Sequence, residues 1–410
     1  MTNLGAEAAR FVDGYLVETG LPVRVGIDGA FISEIVHRES APPRWIAPGF
    51  IDLQVNGFGG HDFNRDAPDA NSVARAIQEL WRHGVTGLCP TVGTHSESHM
   101  RRCFEAVVAA SARDPVIAHS VLGIHVEGPH ISPEDGPRGA HPREHLRPPD
   151  VAEYGRWQTS AAGRICIVTL APELEGAVEY VRSIVSDGVI ASIGHTAADG
   201  QQIDAAINAG ARLATHLGNG AHALIPRHSN YIWPQLADDR LTATFIFDGH
   251  HLPPPLIKVV LRAKGIERSV MVSDAVALAG LPSGVYDGWG SGPVELLPGG
   301  RLILKGTPYL AGATVSIAEC LGVAMRDGGL PLQQAIQLAS ANPARVLRLD
   351  TPTGRGSVRV GASADLTVFT VDPLSARVTI QETVVAGMTV YERAGIGDHM
   401  VVEATQSPTH

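Results

Sequence analysis

The chain has 410 residues, 44% of them hydrophobic and 18% charged, with a formal net charge of −10. That is an ordinary globular composition, long enough for one large domain and a smaller one. The acidic balance and the lack of any basic run argue against a nucleic-acid partner, nothing recommends a membrane surface, and no apolar run reaches the ~18 residues of a membrane-spanning helix.

In chain order, the N-terminal "MTNLGAEAARFVDG" lacks the basic and apolar regions of a secretory signal. The four cysteines, Cys89, Cys103, Cys166 and Cys320, are scattered without a CxxC and read as buried thiols of a reducing compartment. A cytoplasmic protein is the expectation. Residues 10 to 47 alternate β-rich runs with turns ("RFVDGYLVE", "PVRVGIDGAFISEIV"), and "RGSVRVGASADLTVFTVDPLSARVTIQETVVAGMTVYE" reads the same way near the other end. Two β-rich ends predict one small β-sandwich domain assembled from residues 1–47 and 351–410, flanking a central domain over 48–350.

The central part alternates strand and helix. Strands are predicted in "WIAPGFIDLQV", "GVTGLCPTV", "HSVLGIHVEG", "RICIVTLAPE", "VIASIGHT", "RLATHLGN", "LTATFIFDG" and "SVMVSDAV". Between most of them lie amphipathic stretches such as "DANSVARAIQELWRHG", "SESHMRRCFEAVVAASARD" and "DGQQIDAAINAGA". Eight such units in series predict a (β/α)8 barrel. The alternative, a doubly wound open sheet, would show a phosphate-binding Gly-rich turn after its first strand, and "QVNGFGG" opens no helix.

Of the 18 histidines, 14 fall between His83 and His251, which marks the middle of the chain as the place to look for chemistry. The predicted strands end in Gln54, Glu127, His195, His216, Asp248 and Asp274, on the face where barrel enzymes carry their active sites. Taken singly, Glu127 reads as a capping carboxylate, each histidine as a packed one and Asp274 as an N-cap. Together, one carboxylate and two neutral imidazoles make a divalent-metal site with a position left for water. A further carboxylate, Asp274, stands ready to take a proton from that water.

These residues are similar to the amidohydrolase superfamily and, within it, to the N-acetylglucosamine-6-phosphate deacetylases. The matching segments are "IAPGFIDLQVNGFGG", "GIHVEGPH", "RGAHP", "TLAPE", "SIGHT", "THLGN", "DGHH", "VSDA", "LAG", "ASANPA" and "GSVRVGASADLTVF", in family order over nearly the whole chain. Gln54 and Asn56 occupy the positions where other members carry His-x-His and bind two metals. The resemblance therefore implies one divalent ion per chain on Glu127, His195 and His216, zinc first, with iron, manganese, cobalt or nickel as alternatives. It also implies catalytic roles for Asp274 and His141, and substrate contacts from Gln54, Asn219, Gly220, Arg227, His251 and Leu310. The implied substrate is a small amino-sugar phosphate, and the implied assembly a homodimer. A carboxylated-lysine subfamily is set aside, because the predicted fourth strand has no lysine and the nearest in sequence is Lys258.

Three departures bear on the sugar end: His130 where the family has an aromatic, Arg138 where it has a lysine, and the bulky "PRHSNYIWPQL" after Arg227. Tyr231 and Trp233 could there wall a pocket for an unphosphorylated or different N-acyl substrate. A non-catalytic sugar-phosphate sensor is a third reading, against which the intact Glu-His-His-Asp set speaks.

Overall fold

The computed structural model describes residues 10–287, 292–394 and 397–399. The first nine residues, which include most of the stretch examined for a signal, and residues 395–396 and 400–410 of the C-terminal β-rich part lie outside the described residues.

All eight predicted central strands form. They are Phe50–Val55, Val85–Gly93, Ile124–Glu127, Ile165–Leu170, Ile190–Ile193, Leu213–Ala214, Thr242–Ile246 and Ser269–Val272. Each pairs in parallel with the next in sequence order. The last meets the first through Asp274 N–H to Gln54 O (2.9 Å) and Asn56 N–H to Ala275 O (2.7 Å), so the sheet is a nearly closed barrel and not an open doubly wound sheet. Strands covered on both faces must be apolar without alternation. Accordingly every residue of Phe50–Val55 and of Val85–Gly93 is buried.

The intervening helices carry the expected caps. The Asp69 carboxylate accepts from Asn71 N–H and Ser72 N–H ahead of Ala70–Trp81. Asp199 and Gln202 form a reciprocal capping box ahead of Gly200–Ala209.

The chain ends build one eight-stranded mixed sheet. Leu366–Val371 runs antiparallel to Trp45–Pro48, and Trp45–Pro48 in turn pairs in parallel with Arg10–Leu16. One side of this sheet has its own core, including Val12, Val23, Val25, Ile46, Leu366 and Val368. Phe369, Val378 and Ile380 instead join the core of the barrel. A three-stranded antiparallel insert after the eighth barrel strand (Gly284–Tyr286, Val294–Leu296, Leu302–Leu304) was not expected from the sequence. Among the described residues, no helix is long and apolar enough to cross a membrane.

Candidate active site

The strand ends expected to carry chemistry meet at one end of the barrel. Glu127 closes the third strand, while His195, His216 and Asp274 follow the fifth, sixth and eighth by two residues each. All four are buried. The two histidines and the aspartate share an unusual backbone: φ is +51° at His195, +29° at His216 and +48° at Asp274. Non-glycine residues are held in that region only where their surroundings over-determine them, and such residues concentrate at functional sites.

Three potential ligand atoms face one another. Glu127 Oε1 lies 3.2 Å from His195 Nε2 and 3.0 Å from His216 Nε2, and the two Nε2 atoms are 3.0 Å apart. The other nitrogen of His195 decides what this means. Nδ1 sits 2.7 Å from Pro137 O, a carbonyl that only accepts, so Nδ1 carries the proton and the Nε2 of a neutral ring presents a lone pair. A lone pair aimed at a carboxylate oxygen and another imidazole is the donor set a cation would satisfy. Gly220 packs on the same ring: a Cβ there would come within 2.8 Å of His195 Nδ1, at a φ of +58°.

His141 belongs to the neighbourhood as well. Ligand atoms of Glu127, His141 and His195 all lie within 4.8 Å of one another. His216 is the tighter partner, being 3.0 Å from both Glu127 and His195. His141 Nδ1 is 2.8 Å from Thr94 Oγ1, a contact the sequence did not reveal. Burial, with the neighbouring His195, lowers His141 to about 3, so its ring is neutral.

Gln54 and Asn56 join the two carboxylates. The Gln54 amide donates to Glu127 Oε1 (2.8 Å) and to Asp274 Oδ1 (3.2 Å), and Asn56 Nδ2 donates to the same Asp274 oxygen (2.9 Å). Amide N–H groups thus stand between the two carboxylates. Burial alone would raise the Glu127 carboxyl, but its close contacts with the His195 and His216 imidazoles outweigh it and hold Glu127 well below the usual range. Asp274 goes the other way, pushed up to about 8 by burial and then by the charge of Glu127.

The remaining expected residues make local contacts. His251 is fixed by Asp248, whose carboxylate lies 2.7 Å from His251 Nδ1. The Asn219 side chain donates to His216 O (3.3 Å). Leu310 is half-buried and bridges to Ile303. Arg227 is exposed, and its carbonyl accepts from Trp233 Nε1.

Tyr231 is buried and lines a cavity with His195, Asn219 and Gly220, and its hydroxyl accepts from His222 N–H (2.7 Å) beside a His222–Glu134 pair. Other readings of single residues change. His130 does not reach toward a sugar: its ring is buried, stacked on Trp157 and edge-on to Tyr180. Arg138 donates to His141 O (2.7 Å), so it supports the loop of that histidine. Of the cysteines, Cys166 is only half-buried, its sulfur 3.7 Å from that of Cys89.

Comparison with known proteins places this arrangement. Residues 45–390 match the amidohydrolase family. The N-acetylglucosamine-6-phosphate deacetylase of Rattus norvegicus is 34% identical over 371 residues, covering 86% of this chain and 85% of its own. The N-acetylgalactosamine-6-phosphate deacetylase of Escherichia coli O157:H7 is 30% identical, covering 86% of this chain and 91% of its own. Among solved structures, the N-acetyl-D-glucosamine-6-phosphate deacetylase of Mycobacterium smegmatis superposes with a TM-score of 0.82 at 30% identity, over 93% of this chain and 99% of its own.

Proposed function

This chain belongs to the amidohydrolase family, and from that premise we propose that it hydrolyses the acetamide of N-acetylglucosamine 6-phosphate to glucosamine 6-phosphate and acetate. The observation that carries this reading is the convergence of Glu127 Oε1, His195 Nε2 and His216 Nε2 beside Asp274, with one Gln54 amide bonded to both carboxylates. We take these three residues as the ligands of a single divalent ion, zinc first, since one carboxylate and two imidazoles leave a position open. When bound, such an ion supplies a Lewis acid for the acetamide carbonyl and makes water a stronger acid.

The chain's own groups do the rest. In the absence of a cation Asp274 holds its proton near neutral pH; beside one, its carboxylate form is favoured. That carboxylate accepts the proton of the attacking water and returns it to the departing amine nitrogen. Neutral His141, its Nδ1 held 2.8 Å from Thr94 Oγ1, turns its Nε2 to the oxygen on which negative charge develops and, when that nitrogen carries the ring proton, donates to it. His251, oriented by Asp248, faces the sugar, with Gln54, Asn219, Gly220 and Leu310 lining the rest of its site. The Arg227 guanidinium suits the 6-phosphate through its bidentate fork. A homodimer fits the exposed apolar side chains Leu224, Ile225 and Trp233 that flank Arg227.

The test is acetate release from a panel of N-acetylglucosamine 6-phosphate, its galactosamine epimer and the unphosphorylated sugar. The first should give the highest kcat/KM. Preference for the unphosphorylated sugar would overturn the phosphate assignment, and preference for the epimer would overturn the sugar assignment. No acetate from any of the three would overturn the enzyme reading itself.

A further inference from the structure

One layer below the ligand cluster, the barrel interior carries polar groups where aliphatic side chains usually fill it. His125, Thr169 and Ser192 lie on the third, fourth and fifth strands, and Thr215 directly follows the sixth. All are buried, none more than 3% exposed. They form one unbroken chain: Ser192 Oγ to Thr215 Oγ1 at 2.6 Å, Thr215 Oγ1 to Thr169 Oγ1 at 2.7 Å, Thr169 Oγ1 to His125 Nε2 at 2.8 Å, and His125 Nδ1 to Leu53 O at 3.0 Å.

The terminus sets the direction. Leu53 O only accepts, so His125 Nδ1 donates to it. With Nδ1 carrying the ring proton, Nε2 accepts from the Thr169 hydroxyl. With that proton committed, Thr169 accepts from Thr215, and Thr215 accepts from Ser192. Every proton of the chain points the same way, toward the first strand immediately before Gln54.

Three of the four members also sit close along the backbone to a group of the site. His125 is two residues before Glu127 on the same face of its strand, Ser192 is three before His195, and Thr215 is next to His216. Gly194 presses the fifth strand onto the layer: a Cβ there would meet Thr215 Cβ at 2.7 Å and Thr169 Cγ2 at 2.8 Å. His195 and His216 hold left-handed backbone that free chains avoid, and the layer ties together the strands that present them.

We infer that the Ser192–Thr215–Thr169–His125 chain is a positioning layer, which holds Glu127, His195 and His216 in register for the metal without touching it. The inference rests on the metal assignment made above. It predicts that zinc affinity depends on hydroxyl groups outside the ligand set.

Thr169→Val keeps the shape of the side chain and removes its hydroxyl, while Thr169→Ser keeps the hydroxyl. Zinc affinity of the purified full chain is measured by chelator competition, alongside the melting temperature of the metal-free form. Thr169→Val should bind zinc on the order of ten-fold more weakly, the scale seen when groups supporting metal ligands are removed, and Thr169→Ser should restore the affinity. Ser192→Ala, which deletes only the first donor, should also weaken binding and is the deciding variant if Thr169→Val does not fold. A parent protein that takes up no zinc would overturn the metal assignment itself. A parent that binds zinc while Thr169→Val stays within about two-fold of it would overturn this inference alone. So would a Thr169→Ser variant as weak as the valine, or a Ser192→Ala variant unchanged from the parent.

Discussion

Asp274 carries two demands that pull against each other. It must lie close enough to Glu127 for one Gln54 amide to reach both carboxylates, yet it must ionise to accept a proton. Buried and beside that charge, its carboxyl rises from 3.8 to about 8. An acid raised by folding keeps a proton that the unfolded chain has released, so its contribution to stability falls as pH rises from about 4 to about 8. Asp274→Asn removes that liability. In the metal-free protein, urea denaturation should find the variant gaining stability relative to the parent between about pH 5 and pH 8, and a pH-independent difference would contradict the account. With metal bound, the same substitution should leave metal content intact while turnover drops by about 10²–10⁴-fold, since an amide cannot take the proton. Near-normal turnover would move the proton transfer elsewhere. At this scale Glu127, His195, His216 and Asp274 were legible because each closes an apolar strand. Thr94 was not, since its bond to His141 joins residues 47 apart, and neither were the positive φ angles of three non-glycine residues.

The strands and helices of the barrel were legible for a simple reason: burial on both faces forces continuous apolar runs, and amphipathic helices separate them. The insert between 284 and 304 was not, because its strands are three residues long in a Gly- and Pro-rich stretch. The segment after Arg227 was expected to add aromatic bulk to a pocket wall. Tyr231 does line a cavity with His195, Asn219 and Gly220, its hydroxyl bonded to His222, and Ile232–Ala237 winds into a short helix. The Glu134 that pairs with His222 comes from another loop, which local sequence does not reveal. The result leaves Arg227 exposed at the expected phosphate end. Arg227→Ala should raise KM for the 6-phosphate sugar by roughly ten- to a hundredfold, the worth of a charged hydrogen bond, and barely affect the unphosphorylated sugar. Equal responses from both substrates in steady-state kinetics would make Arg227 structural.

Taken whole, the molecule is a barrel clasped by a sheet that uses both chain ends. We propose residues 1–47 and 351–410 as the β-domain and 48–350 as the barrel domain, with the strand Trp45–Pro48 running across the boundary. A buried ionic cluster joins the two. Asp365 pairs with Arg355 Nε (3.2 Å) and His119 Nε2 (3.0 Å), and Arg355 donates to His119 O (2.6 Å) and Thr86 O (3.4 Å). Burial would raise the Asp365 carboxyl, but the His119 hydrogen bond and the Arg355 charge hold it below 3.8, so its support is present above that pH and lost on acidification. Removing one partner strands the other: Asp365→Ala should cost about 3–5 kcal/mol in urea unfolding while the folded fraction keeps its specific activity. A loss under about 1 kcal/mol would show that the cluster does not hold the domains together. The central claim, a single-metal deacetylase, is tested most directly by titrating metal-free protein with zinc and following acetate release from N-acetylglucosamine 6-phosphate. Activity should rise linearly and saturate at about one equivalent per chain, the capacity of one Glu-His-His set. Activity without metal, or a break only at a second equivalent, would contradict it.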